Sequence, residues 1–238
     1  MKTNSRTIDS NQKDIHPDLQ LCVAKHLASD FKRPIAAHNT DTYHEAIAAA
    51  GGRPIIFDSG CGTGRSSMRI AAENPHAFVI GIDKSLHRLE KNSVFHQSTG
   101  DNLHLARADL IDFWRLASDD NIRLEKHFLL YPNPWPKKKH MQRRWHGSPL
   151  FRQLLKLGGQ LELRSNWEIY TREFMQALNT ANYHSTLQRF IPEINNSISD
   201  FEEKYHRSGH SLWQLIANLD IDSAATATEN SSTATTSD

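Results

Sequence analysis

The middle of the chain alternates between short apolar segments and segments with helical spacing, and this alternation constrains the fold more than any other feature. Five apolar segments predict buried strands, at residues 54–60, 77–83, 103–109, 126–132 and 160–166. Each is followed by a segment that predicts a helix, at 65–74, 85–97, 110–117, 149–159 and 167–181. Strands that alternate with helices form right-handed crossovers. We therefore predict an α/β fold with a mostly parallel sheet and helices on both faces.

Two further strands are predicted towards the end of the chain, one after Asn182 and one within 211–219. They would complete a seven-stranded sheet. Residues 16–50 precede the first strand and are predicted to be largely helical.

Both ends of the chain are polar. Residues 1–15 lack any periodicity, and residues 220–238 are rich in Ser, Thr and Ala and carry four acidic residues but no Lys or Arg. Such segments cannot bury enough apolar surface to fold, so we expect disorder in both. No long linker interrupts residues 16–219, and we expect them to form one domain.

Composition limits the classes of function. The chain has 238 residues, of which 38% are hydrophobic and 23% charged, as in globular proteins. No segment approaches the roughly 20 consecutive apolar residues of a membrane helix, and the first residues lack the apolar core of a signal peptide. Cys22 and Cys61 fit no metal-binding spacing. We expect a reduced, cytoplasmic protein without a metal site.

The first predicted strand ends in a glycine cluster, DSGCGTG, at residues 58–64. In parallel α/β sheets ligands bind at the carboxyl ends of the strands, where glycines let the backbone approach them closely. The third glycine of the dinucleotide fingerprint is missing, because Arg65 or Ser67 stands there, so a nicotinamide cofactor is the weaker hypothesis. An ordinary turn between strand and helix is the structural alternative.

Acidic residues also stand at the ends of the second and third strands. Asp83 and Asp109 could each be a helix cap. Together with the glycine cluster, however, they resemble motif I of class I S-adenosylmethionine (SAM)-dependent methyltransferases. The resemblance implies that the Asp83 carboxylate accepts both ribose hydroxyl hydrogens and that Asp109 lies beside the adenine. The resemblance implies a Rossmann-like fold, SAM as methyl donor, and a SAM pocket formed by Asp58, Gly60, Gly62, Asp83, Asp109 and Asn133.

The segment after the fourth strand, NPWPKKKHMQRR at residues 133–144, places prolines and a tryptophan beside five basic residues. It resembles the D-P-W-P-K-x-x-H-x-K-R-R signature of the bacterial tRNA (guanine-N7)-methyltransferases. Two later motifs of that family also occur in order. Its T-D corresponds to Ser165-Asn166, and its T-x-F-E corresponds to residues 199–202. The resemblance covers roughly residues 54–219.

This second resemblance implies methyl transfer from SAM to N7 of a guanine in tRNA, which in that family is guanine 46 of the variable loop. It implies that Asn133 is catalytic, at the junction of cofactor and base. The partner would be tRNA, the protein a monomer or homodimer, and no membrane would be involved. The basic side chains, with Lys138 and Lys139 among them, would hold phosphates around a flipped purine. Substrate contacts are implied for Lys137, His140, Arg143, Arg144, Asn166, Ser199, Asp200, Phe201 and Glu202.

Three matched positions depart from the family. Asn133 and Asn166 replace aspartates, and Ser199 replaces a threonine. The N1–H and N2–H donors of guanine suit a carboxylate, whereas an amide offers one acceptor oxygen and two donors. N7 carries a lone pair and no proton, so its methylation needs alignment rather than a general base. Two alternatives therefore stay open: a non-catalytic RNA-binding relative, and a methyltransferase retuned to another RNA base or a small molecule.

Overall fold

The computed structural model of the protein describes residues 5–91, 101–193 and 196–220. Seven strands in this part of the chain form one sheet: β1 Ile55–Ser59, β2 Phe78–Asp83, β3 Leu103–Arg107, β4 Leu124–Leu130, β5 Gln160–Ser165, β6 Ser185–Phe190 and β7 Leu212–Asn218. Their order is β3-β2-β1-β4-β5-β7-β6. Strand β7 is antiparallel to both of its neighbours, and the other pairs are parallel. The predicted seven-stranded, mostly parallel sheet is confirmed.

Eight α-helices accompany the sheet within the described ranges: α1 Leu19–Leu27, α2 Ala37–Ala50, α3 Arg65–Glu73, α4 Leu86–Leu89, α5 Leu110–Asp119, α6 Phe151–Lys156, α7 Glu168–Thr180 and α8 Asp200–Arg207. Two 3₁₀ helices, Lys138–Arg143 and Trp145–Gly147, follow β4. The predicted helices and the helical character of residues 16–50 are confirmed. The exception is the helix predicted over 85–97. Its start is α4, and residues 92–97 lie outside the described part of the chain.

Helices cover both faces of the sheet because the buried strands alternate their side chains between two cores. Phe57 packs into one core with side chains of α1, α2, α5, α6 and α7, whereas its neighbour Ile56 packs into the other core, on the side of α3. Both side chains have no exposed surface. Full burial of each stabilises the fold by about 1.5–3 kcal/mol.

Helix α3 approaches the sheet closely over Gly81 of β2. A Cβ added at Gly81 would lie 2.3 Å from the Ser67 hydroxyl oxygen and 2.7 Å from a methyl carbon of Leu105. In dinucleotide-binding proteins a glycine on the helix permits such an approach. Here the strand supplies the glycine, which is why the helix can carry serine there.

The carboxyl ends of β1 to β5 meet at one edge of the sheet. The strand order reverses between β1 and β4, and such a switch point opens a crevice for ligands. Strand β7 runs the other way, with Trp213 opposite Ser165, so residues just before β7 also lie at this edge. The motif residues around β1, β4, β5 and β7 are therefore brought to the same side of the molecule.

The beginning of the chain departs from the disorder that its polar composition predicts. Gln12 is only 5% exposed, and the Ser10 hydroxyl donates to the Pro136 carbonyl oxygen at 2.5 Å. Polar side chains become ordered here because buried charged groups elsewhere in the chain need hydrogen-bond partners. Residues 1–4 and the predicted disordered tail from residue 221 lie outside the described residues.

No helix in the described part of the chain is long and apolar enough to span a membrane. Among the same residues no group of three or more His, Cys, Asp or Glu side chains could hold a metal ion.

Candidate active site

The glycine cluster forms a turn at the carboxyl end of β1. Gly60, Gly62 and Gly64 have φ angles of 83°, 63° and 77°, in the left-handed region that favours glycine. The Gly60 N–H donates to the Ile82 carbonyl oxygen at 2.7 Å, which ties the turn to the neighbouring strand. A Cβ added at Gly60 or Gly62 would meet no described atom within 4 Å. The backbone of this turn therefore borders open space that a ligand could enter.

Asp58 lies buried beneath the turn. Its Oδ2 accepts from the Ser66 hydroxyl at 2.5 Å and from the Ser67 hydroxyl at 2.7 Å. Its Oδ1 is also buried and has no hydrogen-bond partner in the described part of the chain. Burial raises the pKa of Asp58 to about 6. The free oxygen is an acceptor that a bound N–H or ammonium group would satisfy.

Asp83 joins the glycine turn to the segment that follows β2. Its Oδ2 accepts from the Gly62 N–H at 3.0 Å and from the Arg88 guanidinium at 3.2 Å, and its Oδ1 accepts from the Ser85 N–H at 2.8 Å. The structure thus places Asp83 beside the turn, as predicted. Arg88 was not among the predicted site residues, and its spacing in the sequence gives no signal for it.

Asp109 acts as the cap of helix α5. Its carboxylate accepts from the Ile111 N–H at 2.9 Å, and its own N–H donates to the Asn39 side chain at 3.1 Å. Of the two hypotheses for this residue, the geometry supports the helix cap. A contact with adenine stays a prediction.

The segment from residue 133 to residue 144, called the basic loop below, is organised around Trp135. This residue has a φ of 45°, a strained value for a bulky side chain. The Arg143 guanidinium lies 4.7 Å from the centre of the Trp135 ring, and the His140 ring meets it edge-on at 5.6 Å. Asn133 is exposed, and its side-chain oxygen lies 3.4 Å from the Trp135 nitrogen.

The cations of the basic loop divide into an exposed and a buried group. Lys137, Lys138, Lys139 and Arg143 are exposed, as phosphate-binding residues must be. Desolvation and the neighbouring cations lower the pKa of His140, so that its ring is neutral at pH 7. Lys137, Lys139 and Arg143 lie near this ring and, with Lys138, form an exposed group of cations in the basic loop.

Arg144 is not a substrate residue, and the prediction for it is wrong. It has no exposed surface. Its guanidinium forms an ion pair with Glu173, donates to the Gln12 side chain at 3.0 Å and donates to the Trp135 carbonyl at 3.1 Å. All its donors are directed into the protein, where it fixes the basic loop.

The predictions for Ser199 and Glu202 also need correction. Glu202 is fully buried and accepts from the Tyr131 hydroxyl at 2.9 Å and from Arg164 at 2.8 Å. The Ser199 hydroxyl accepts from the Glu202 N–H at 3.2 Å and so caps helix α8. Ser199 and Glu202 have the S-x-x-E spacing of a capping box, a signal that the sequence contained.

Two other residues of this motif stay accessible. Asp200 accepts from the Thr63 hydroxyl at 2.7 Å and from Arg65 at 2.9 Å, which docks the start of α8 onto the glycine turn. Phe201 is 39% exposed and stacks on Tyr205, with ring centres 6.0 Å apart. Their substrate contacts stay predictions.

Asn166 follows β5 and faces His210, with 3.0 Å between its side-chain nitrogen and the imidazole Nδ1. Asn166, which corresponds to the aspartate of the T-D motif, therefore has a hydrogen-bond partner within this chain. His210 was not among the predicted residues, because nothing near it in the sequence indicates a contact with residue 166.

The two neighbouring arginines of the basic loop should differ in their effect on stability. We expect Arg144→Met to lower the free energy of unfolding by about 3–5 kcal/mol, because it leaves the buried Glu173 carboxylate without its ion-pair partner. Arg143→Met is the matched control and should cost no more than about 1 kcal/mol, the value of an exposed cation–π contact. Urea unfolding of both variants measures the difference. Equal losses would contradict the structural role of Arg144.

The raised pKa of Asp58 predicts a pH-dependent stability. The pKa is about 6 in the folded protein and 3.8 as its ordinary value, so the folded state binds the proton more tightly. The stability that the protonated Asp58 carboxyl group contributes is fully present below pH 3.8 and is lost as the pH rises through 6. Relative to Asp58→Asn, the free energy of unfolding of the parent should fall by roughly 3 kcal/mol over this range. Chemical unfolding of both proteins at several pH values measures the difference between their unfolding free energies. A difference that does not change with pH would contradict the raised pKa of Asp58. Exposed Asp101→Asn is the control.

Comparison with known proteins agrees with this geometry. A family model described as "Putative methyltransferase" matches residues 52–215. The tRNA (guanine-N(7)-)-methyltransferase of Pseudomonas aeruginosa is 30% identical over 173 residues, which cover 68% of this chain and 69% of that protein. The protein of the same name from Bordetella pertussis is 30% identical over 191 residues, covering 71% of this chain and 70% of that protein.

Solved structures show the same fold at lower identity. The 16S rRNA methyltransferase KamB has a TM-score of 0.55 at 15% identity, over 79% of this chain and 96% of that chain. A mutant of the 16S rRNA (adenine(1408)-N(1))-methyltransferase from Catenulisporales acidiphilia, solved with SAM, has a TM-score of 0.54 at 15% identity, over 82% of this chain and 94% of that chain. These likenesses establish the Rossmann-like methyltransferase fold. With the matched family model and the relatives at 30% identity, they show that the chain belongs to the bacterial tRNA (guanine-N7)-methyltransferase family of class I SAM-dependent methyltransferases.

Proposed function

We propose that the protein transfers a methyl group from SAM to N7 of a guanine in tRNA. The observation that carries the proposal is the placement of two features at one crevice. A glycine turn that borders open space follows β1, and a loop with four exposed cations follows the adjacent β4. Relatives at 30% identity named for this activity support the same conclusion.

The residues of the glycine turn fit SAM. The open space beside Gly60 and Gly62 admits a ligand against the backbone, and the buried, unpartnered Oδ1 of Asp58 offers an acceptor for a cationic or N–H group. Asp83 would accept the ribose hydroxyls next to the turn that it already holds. SAM supplies the electrophilic methyl group of a sulfonium. The protein's part is to bind and orient the two reactants.

Positioning suffices for this chemistry. Guanine N7 carries a free lone pair, so the protein need not remove a proton before the transfer. Holding the two reactants aligned can supply about 7–11 kcal/mol of barrier reduction. Asn133 then needs only to hold the base at the end of β4, a task that its amide can perform by hydrogen bonding. Methyl transfer to guanine N7 would therefore tolerate the replacement of the family's aspartate by Asn133.

The exposed cations account for the choice of a nucleic acid. Lys137, Lys138, Lys139 and Arg143 lie together in the basic loop next to Asn133, so they would contact phosphates on either side of the target base. Because Arg144 is buried, it does not belong to this set. We place the activity in the cytoplasm, with tRNA as the partner.

Asp83→Asn should weaken SAM binding roughly tenfold, because a charged acceptor contributes more to a hydrogen bond than an amide oxygen does. The control is Asp101→Asn, which removes an exposed carboxylate at the opposite edge of the sheet. Isothermal calorimetry measures the affinity, and circular dichroism verifies the fold. Unchanged affinity in folded Asp83→Asn would remove this residue from the cofactor site.

The triple variant Lys138→Ala, Lys139→Ala, Arg143→Ala should bind tRNA more weakly and with a smaller salt dependence. The log–log slope should fall by roughly one unit for each phosphate that the variant no longer neutralises. A matched control with the same charge change replaces three exposed cations outside the loop, Lys32, Lys156 and Arg189. Filter binding between about 50 and 200 mM salt measures both slopes. A slope equal to that of the parent would show that the cations of the basic loop face bulk water.

The direct test of the proposal is methyl transfer from labelled SAM to tRNA that lacks the modification. Nucleoside mass spectrometry of the digested product should show 7-methylguanosine, and sequencing of the fragments locates it. Methylation of another base, or of a small molecule alone, would establish the retuned alternative. Tight tRNA binding without transfer would establish the non-catalytic alternative.

A further inference from the structure

Residues 5–12, called the N-terminal strap, bridge two loops that carry the substrate motifs. At one end the Ser5 carbonyl oxygen lies 3.0 Å from His210 Nε2. At the other end the Ser10 hydroxyl donates to the Pro136 carbonyl, and the Asn11 side chain accepts from the Lys138 N–H at 3.1 Å. His210 precedes β7 and the basic loop follows β4. The strap therefore crosses the carboxyl edge over β4, β5 and β7, beside the part of the site assigned to the substrate.

The strap is fixed firmly at the basic loop. Gln12 is buried, and its amide donates to Glu173 Oε1 at 2.6 Å while its oxygen accepts from Arg144 at 3.0 Å. Arg144 in turn binds the Trp135 and Lys137 carbonyl oxygens. The strap and the basic loop thus share one buried network.

At the other end the Ser5 N–H donates to the Ser208 hydroxyl at 3.2 Å, and the Ser5 carbonyl oxygen faces His210. The Ser5 carbonyl can only accept, so Nε2 of His210 must carry the proton. In the neutral imidazole Nδ1 is then an acceptor, and the group opposite it must donate. Asn166 presents its amide nitrogen there, at 3.0 Å. The His210 ring is held in place by stacking on Tyr205, with ring centres 5.3 Å apart.

This geometry gives a reason for asparagine at position 166. An aspartate has two acceptor oxygens and cannot donate to Nδ1, so it would keep the contact only with an imidazolium, whose two nitrogens both donate. We propose that Asn166 is a positioning residue, which acts through His210 to hold the N-terminal strap across the site, and does not contact the substrate base. The strap supports the basic loop through Ser10, Asn11 and Gln12. The predicted effect of Asn166 on catalysis rests on the proposed tRNA methylation. Its predicted effect on the position of the strap does not depend on that proposal.

Hydrogen exchange of the full chain tests the contact between Asn166 and His210. In Asn166→Leu, which removes the donor and adds no acceptor, the Ser5 amide should exchange roughly three- to tenfold faster, the factor that one hydrogen bond contributes to an equilibrium. This amide donates to the Ser208 hydroxyl at 3.2 Å and so reports on that end of the strap. His210→Ala should have the same effect, and Asn166→Leu should add little to it, because both remove the same interaction. Asn179→Leu, at an exposed position of helix α7, is the control. Unchanged exchange in either single variant, or additive effects in the double variant, would overturn the proposal.

Methyl transfer to tRNA tests the positioning role. Asn166→Leu should lower kcat/KM for tRNA by roughly three- to tenfold, as the removal of one hydrogen bond predicts, and leave SAM affinity unchanged. Asn166→Gln keeps the donor and should retain more activity. A gain in activity for Asn166→Leu, or faster exchange without any change in transfer, would overturn the role assigned to Asn166. If neither the parent protein nor any variant methylates tRNA although the exchange rates change as expected, the proposed function is wrong. The contact between Asn166 and His210 is then still supported.

Discussion

The buried ion pair between Arg144 and Glu173 holds helix α7, the basic loop and the start of the chain together. Both side chains have no exposed surface. Glu173 also accepts from the Gln12 amide, from the His16 N–H and from His146. Burial by itself would raise the pKa of this carboxyl, but His146, Arg144 and Gln12 outweigh it and bring the pKa down to about 2. Helix α7, the basic loop and the start of the chain all meet at this one carboxylate.

The need to satisfy that carboxylate explains why a polar beginning of the chain becomes ordered. Two charges taken out of water are stable only when every remaining donor and acceptor is paired. The Gln12 side chain provides one donor and one acceptor at this position. The strained backbone of Trp135 is held by the same network, since its carbonyl oxygen accepts from Arg144. A loop of this shape could present exposed cations to a polyanion only if its inner side is fixed.

Several motif residues have partners within the scaffold. Ser199 caps helix α8, and the Glu202 carboxylate joins this helix to Tyr131, which follows β4, and to Arg164 of β5. Asp109 caps α5. Family resemblance identifies such residues together with the reactive ones, because both are required at the carboxyl edge of the sheet. Burial and hydrogen-bond partners place Ser199, Glu202 and Arg144 in the scaffold. Asp58 keeps one unpartnered oxygen and Asp83 adjoins the glycine turn. With the exposed Asn133, Asp200, Phe201 and cations of the basic loop, they stay the candidates for chemistry and binding.

The sequence by itself determined the strands, the helices, their alternation and the position of the glycine turn. These follow from local patterns, since the spacing of apolar residues reflects the geometry of each element and consecutive elements pack as right-handed units. Tertiary structure alone decided which of the adjacent arginines 143 and 144 is buried, because Arg144 finds its partners at Glu173 and Gln12, far away in the chain. It likewise decided that Asn166 faces His210 and that residues 5–12 contact both His210 and the basic loop. Contacts between distant residues depend on how whole elements dock, and no local pattern encodes that docking.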